Sequence, residues 1–331
     1  MNIQERIAII IKLGIYLKED SADWQVAKEQ AYQKNGWFTP AFIQTGATEI
    51  ADNFLQKEQL EKWVAHYHID DNITPKNVGI VMAGNIPMVG FHDMLAVFIS
   101  GHYQTIKLSS KDDVLIKHLV KFLYSEDVEI QNHISFAEML KGCDAYIATG
   151  GSNAAKSFEE YFGKYPSIIR KNKTSVAILN GGETEVELAS LSDDIHLYFG
   201  LGCRNVTKLY VPKDYNFVPL LHSFKKYKWF ADHHKYKNNY DYQLSITLLN
   251  NIYYMTNEST LLIENKAIFS PISQVYYEFY DDEEELQKIL EANVEIQCIV
   301  GQKNIPFGDA QKPSLFTYAD GVDSMEFLLT L

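Results

Sequence analysis

The sequence predicts an α/β protein of two lobes with open, mostly parallel sheets, preceded by a helical N-terminal segment. Three observations carry that reading. From Asn77 onward, short apolar runs suited to buried parallel strands alternate with loops and helix-spaced stretches. Residues 1–75 show helical spacing in several pieces and no strand. The 331 residues exceed the usual size of one domain, and they are ample for a large core.

In order, helices are expected over Gln4 to Leu17, after a Ser21 cap, near Thr48 to Leu55, and over Glu58 to His66. Trp37, Phe38 and Phe42 read as packing residues. His66 and His68, two apart, point to different faces of a helix and make a poor metal pair. Val78 to Met82 is the first strand and Met88 to Ile99 a helix, with Ala83-Gly84-Asn85-Ile86-Pro87 as the loop between them. Gln104 to Leu108 is the next strand, ending in Ser109 and Ser110, and Val114 to Leu123 the next helix. Ala145 to Ala148 leads through Thr149-Gly150-Gly151-Ser152-Asn153 into a helix reaching Phe162; small residues opening a helix leave its N–H groups accessible to a phosphate. Thr174 to Leu179 is one more strand before Asn180-Gly181-Gly182 and a helix from Val186 to Phe199. Beyond Val211 come a helix at Phe217 to Phe224, a tyrosine-rich tract from Tyr227 to Tyr254, a strand at Val275 to Tyr280, a helix at Glu283 to Glu291 and a strand over Glu295 to Val300. Adjacent His233 and His234 read as surface residues. The expected divisions are 1–75, 76–182 for cofactor binding, 183–310 for catalysis, and 311–331.

A formal charge of −13 disfavours nucleic acid and anionic membranes as partners. Part of it is the Asp281 to Glu285 run, read as a solvated helix start. Three cysteines, Cys143, Cys203 and Cys298, fit a reducing compartment, and neither a disulfide framework nor a zinc spacing is present. The apolar Ile7 to Ile11 stretch is broken at Lys12, far short of a membrane span. The expectation is a cytoplasmic protein without a resident metal.

The candidate nucleophile lies in Leu197 to Val211, where Gly200 and Gly202 stop a helix and the strand Thr207 to Val211 follows. A cysteine in such a bend presents its sulfur outward; the competing reading is a small buried hydrophobe.

Together these segments resemble the aldehyde dehydrogenase superfamily, and within it the LuxC-type acyl-CoA reductases, from about Val78 to Phe307. Gly84-Asn85-Ile86-Pro87 is similar to the family's oxyanion-hole asparagine loop, and Lys107-Leu108-Ser109-Ser110 to its cofactor-ribose lysine segment. Thr149-Gly150-Gly151-Ser152 is similar to the turn beside the nicotinamide cofactor, and Asn180-Gly181-Gly182 to the Leu-Gly-Gly turn. Gly200-Leu201-Gly202-Cys203-Arg204 is similar to the catalytic cysteine segment, and Ile268-Phe269-Ser270-Pro271-Ile272 to the Phe-Gly-Pro stretch.

The resemblance implies Cys203 as nucleophile, Asn85 as oxyanion donor, and a cofactor site built from Lys107, Ser109, Thr149, Gly150, Gly151, Ser152 and Gly181. It implies reduction of a fatty acyl-CoA, or another acyl thioester, to a long-chain aldehyde through an acyl-cysteine. It also implies an acyl-protein synthetase as a partner and a homo-oligomer. Leu179 stands where hydrolytic relatives carry a water-activating glutamate, which protects an acyl-cysteine meant for reduction. Ser110 stands where NAD-preferring relatives place an acid, so a 2′-phosphate is not repelled and NADPH is expected. Ala267 replaces the glutamate that holds the nicotinamide ribose. The alternative is an acyltransferase or acyl-carrier subunit using the same cysteine without redox chemistry.

Overall fold

The computed structural model describes residues 1–19 and 21–331. The N-terminal segment is helical: α1 (Ile3–Lys18), α2 (Ala22–Lys34), α3 (Pro40–Asn53) and α4 (Lys57–His66). Side-chain oxygens set three of the starts, with Asn2 accepting the Glu5 N–H, Ser21 that of Trp24 and Thr39 that of Phe42. The Thr39 cap and Pro40 in the first turn begin α3 well before the expected Thr48, since proline gives up an N–H that has no helical partner there. Leu13, Leu17, Trp24, Ile43 and Trp63 join the core that lies against the first sheet.

That sheet comprises β1 (Asn77–Val81), β2 (Tyr103–Lys107), β3 (Ile134–Phe136), β4 (Ala145–Thr149) and β5 (Ser167–Arg170). Between them run α5 (Phe91–Ser100), α6 (Val114–Glu126), α7 (Ile130–His133) and α8 (Ser152–Phe162). All pairings are parallel in the order β3-β2-β1-β4-β5. Helix α5 starts at Phe91 instead of the expected Met88, because Met88 is left-handed at φ 56°.

The second sheet holds β6 (Thr174–Ile178), β7 (Val206–Pro212), β8 (Met255–Thr256), β9 (Leu261–Glu264), β10 (Gln274–Tyr280) and β11 (Ile296–Val300), in the order β11-β6-β7-β10-β9-β8. Only the β8–β9 pair among these is antiparallel. Its helices are α9 (Glu185–His196), α10 (Phe217–Ser223), α11 (His234–Leu249) and α12 (Glu283–Glu291). The tyrosine-rich tract is largely α11, whose start is capped by His233: the imidazole Nδ1 accepts the Tyr236 N–H at 3.3 Å. As the acidic run suggests, α12 opens on it, with Asp282 accepting the Glu284 and Glu285 N–H groups.

The chain divides into Met1–Asn172 with Pro313–Leu331, and Lys173–Lys312. The strand at Thr174–Ile178 was expected beside the cofactor strands, inside 76–182. It lies instead in the second sheet, because its partners β7 and β11 come later in the chain. The C-terminal α13 (Ser324–Leu329) returns to the first unit, where Met325 and Leu328 enter its core and Ser324 accepts from the buried Arg170 guanidinium at 2.9 Å. Among the described residues no helix is long and apolar enough to cross a membrane.

Candidate active site

In the first unit, strand order reverses between β1 and β4, and in open α/β sheets ligands bind off the carboxyl ends of strands at such a point. The loops that leave those ends are the ones the sequence singled out. Gly84 and Asn85 follow β1, Lys107 ends β2 with Ser109 and Ser110 after it, and Thr149 ends β4 with Gly150, Gly151 and Ser152 after it. Parallel register puts Val81 level with Lys107 and Ala148, so the three loops share one edge. Asn85 and Ser109 are half-buried, and Lys107, Gly151 and Ser152 exposed. A pocket of about 290 Å³ is lined by Lys107, Ser109, Ser110, Lys34, Lys117 and Glu138, among others. Gly84 is required by packing, since a Cβ there would stand 2.5 Å from Ser109 Oγ.

In the second unit, α9 ends at His196, earlier than the expected Phe199. Tyr198, Phe199 and Gly200 are all left-handed, at φ 55°, 58° and 73°. Two bulky residues in that region hold strain of about 1–3 kcal/mol each, the kind found at functional turns. Asn205, fully buried, holds the turn. Its amide donates to the carbonyls of Asp194 at 3.0 Å and Leu197 at 2.9 Å, while its Oδ1 accepts the Gly202 N–H at 2.7 Å. Ser175 Oγ donates to the Cys203 carbonyl at 3.0 Å. Cys203 is therefore fixed through its backbone on both sides and is partly exposed.

The other cysteines differ. Cys143 and Cys298 are buried, and burial pushes both thiols up. The Phe-Gly-Pro-like segment comes to the same turn: Thr207 donates to the Ile268 carbonyl at 2.9 Å, and Gly200, Thr207, Ser270, Pro271 and Ile272 line one cavity of about 20 Å³, room for about one water. Buried Lys208 donates to Glu278 at 2.7 Å and to the Ala267 carbonyl at 3.4 Å. Leu179 is wholly buried, with no carboxylate at that position. Gly181 stands apart from the other cofactor residues, in the second unit, where its N–H and that of Asn180 donate to Glu183 at 3.3 and 2.6 Å. Among the described residues no group of three or more His, Cys, Asp or Glu could hold a metal ion.

The sequence reading passed over Asn205, Ser175 and Asp194. Asn205 follows the cysteine by two residues, a spacing that could have marked it as a turn-holding side chain. Asn205→Ala should cost about 2–3 kcal/mol of stability, because the Gly202 N–H and two carbonyls lose a buried partner. It should also change the rate at which Cys203 is alkylated; denaturation curves and timed labelling check both.

Asp194 accepts the Gly308 and Ala310 N–H groups at 2.7 and 3.1 Å, and burial nevertheless pushes its carboxyl up to about 7. A folded value above the unfolded one favours folding at acid pH, and that contribution disappears as pH rises through about 7. Asp194→Asn should therefore gain on the wild type between about pH 4 and pH 7 and change no further above it. Denaturation midpoints of the two proteins across that range test this.

No protein-family model matches the chain. In sequence it is similar to the long-chain acyl-protein thioester reductase 2 of Photobacterium leiognathi, 24% identical over 225 residues. That match spans 61% of this chain and 47% of the relative, so this chain matches about half of the relative's length. In structure it is similar to an NADP-dependent enzyme of E. coli, with a TM-score of 0.67 at 12% identity over 91% of this chain and 73% of that one. It is also similar to the indole-3-acetaldehyde dehydrogenase of P. syringae, solved with NAD+ and IAA, with a TM-score of 0.65 at 12% identity over 91% and 72%. The chain thus has the aldehyde dehydrogenase fold, and its sequence resembles that of the LuxC-type acyl thioester reductases.

Proposed function

We propose that this chain is an oxidoreductase that uses NADPH to reduce an acyl thioester, an acyl-CoA, to a long-chain aldehyde through an acyl-cysteine on Cys203. The observation that supports it most is the contrast among the thiols: Cys203 is partly exposed on a strained, backbone-anchored turn, while Cys143 and Cys298 are buried. Strained turns that hold a partly exposed cysteine suit a nucleophile and serve packing poorly.

The Cys203 thiolate attacks the thioester carbonyl carbon, forming a C–S bond as the carbonyl electron pair moves to oxygen. The donors this reading assigns to that negative oxygen are the Cys203 backbone N–H and the Asn85 amide. When the carbonyl re-forms, the CoA sulfur leaves as thiolate and the acyl group stays on Cys203. Buried Leu179 offers no base to activate water against it. A reduced nicotinamide, when bound, supplies the hydride that takes the acyl carbon to the aldehyde level. The Cys203 sulfur then leaves as thiolate.

The first unit's sheet edge fits such a cofactor: it lies at the reversal of strand order, and the pocket beside Lys107, Ser109 and Ser110 has the volume for a ribose and its phosphate. Thr149, Gly150, Gly151 and Ser152 would meet the cofactor from β4. Lys107 at the pocket favours a 2′-phosphate, Lys34 and Lys117 are ion-paired with Asp113 in the same lining at 2.6 and 3.3 Å, and Glu138 there favours an unphosphorylated ribose. Glu138→Gln should raise the NADPH over NADH ratio of kcat/KM about tenfold. An unmoved ratio would remove Glu138 from the ribose.

Mixing the purified protein with a panel of acyl-CoAs and each reduced nicotinamide, with aldehyde detection, tests the whole reading. Thioester-dependent oxidation of the nicotinamide with aldehyde formed is expected. Acyl transfer without nicotinamide oxidation would replace it with the acyltransferase reading.

A further inference from the structure

Asp112 ends the loop that follows β2 and is buried, 4% exposed. Its Oδ2 accepts the Met88 N–H at 2.6 Å, and Met88 is held left-handed at φ 56°. On the other side of Asn85, Gly84 packs against the same β2 loop, where a Cβ would stand 2.5 Å from Ser109 Oγ and 3.3 Å from the Asp112 nitrogen. The β2 loop is itself closed, with the Asp112 N–H donating to the Ser109 carbonyl at 3.1 Å and the Lys111 N–H to Ser109 Oγ at 3.3 Å. The loop carrying Asn85 is thus attached to the loop carrying Ser109 both before and after the asparagine.

Stability alone does not explain a carboxylate there. Its Oδ1 is buried without a hydrogen-bond partner among the described residues, a costly arrangement that an apolar side chain would avoid. Burial pushes the carboxyl up to about 7, with the Met88 N–H opposing and neighbouring Asp113 adding to it. A side chain kept at such a cost is explained if its one good hydrogen bond serves the site.

We infer that Asp112 is a positioning residue, which fixes the loop bearing Asn85 against the loop bearing Lys107 and Ser109 through its bond to the Met88 N–H. The inference rests on the reading of Asn85 as the oxyanion donor. Asp112 touches neither substrate nor cofactor in this reading; it holds the distance between the amide and the cofactor loop.

The test makes Asp112→Ala and Asp112→Asn, each alone and combined with Asn85→Ala, in the whole 331-residue chain. Asp112→Ala should lower kcat about a hundredfold, with KM for acyl-CoA and for NADPH little changed, since a small displacement of a donor can cost that much. Asp112→Asn keeps a carbonyl for the Met88 N–H and should restore most of the rate. Once Asn85 is alanine, Asp112→Ala should cost little more, because residues acting through one another are not additive. Hydrogen exchange over residues 84–90 should quicken in Asp112→Ala and stay slow in Asp112→Asn. Equal losses with and without Asn85, or no rescue by asparagine, would overturn the inference. Should Asp112→Ala not fold, Gly84→Ala separates the same two loops from the other side and should show the same non-additivity. If Asn85→Ala runs at the wild-type rate while exchange over 84–90 still quickens in Asp112→Ala, the attachment stands and the role given to Asn85 fails. Unchanged exchange would refute the attachment itself.

Discussion

On the proposed mechanism, Cys203→Ser should yield a protein that folds, binds NADPH and forms no acyl-enzyme. The expected readout is the intact mass after mixing with an acyl-CoA: the wild type gains one acyl group when NADPH is withheld, and the variant gains none. Thioester-dependent NADPH oxidation falls to background. The reason is chemical, since a serine hydroxyl ionises far above neutral pH, whereas a thiol gives a useful fraction of thiolate there. The fold should tolerate the change, because Asn205 and Ser175 hold the turn through its backbone. Acyl mass still appearing in the variant would move the nucleophile to Cys298 or Cys143, whose buried thiols make that outcome a direct contradiction of the site.

Asn85→Ala should lower kcat by about a hundred- to a thousandfold, about 2.7–4 kcal/mol of transition-state stabilisation, with KM for the thioester nearly unchanged. The loss should fall on acylation and on reduction alike, since both pass through a negative oxygen on the same carbon. Single-turnover measurements of acyl-enzyme formation and of its decay on adding NADPH separate the two steps. A variant that acylates at the wild-type rate would strip Asn85 of its role. Because Gly84 and Met88 attach the loop on either side of Asn85, the variant should remain folded.

Several segments were legible from pattern alone. The run Val78 to Met82, followed by a glycine-containing loop, suits a buried parallel strand, and it falls on β1. The Ser21 cap and the acidic run Asp281 to Glu285 marked helix starts, and the structure begins helices at Ala22 and, after an Asp282 cap, at Glu283. Other segments were not legible, for physical reasons. Ile134 to Phe136 and Ser167 to Arg170 are too short for a periodic signal, and they become strands only because β2 and β4 offer them unpaired edges. The end of α9 was read from its glycines, but the helix stops at His196, where Asn205, from beyond the glycines in the chain, takes up the carbonyls of Asp194 and Leu197.

By itself the sequence determined the α/β class, the parallel strand–loop–helix units and the segments worth testing as a site, because these depend on hydrophobic period and on local turn chemistry. Tertiary structure alone decided that β6 belongs to the second sheet, that Cys203 is partly exposed while its two counterparts are buried, and that Asp112 holds the Asn85 loop. Each of those depends on pairing or burial between residues far apart in the chain, and no local pattern of residues encodes it.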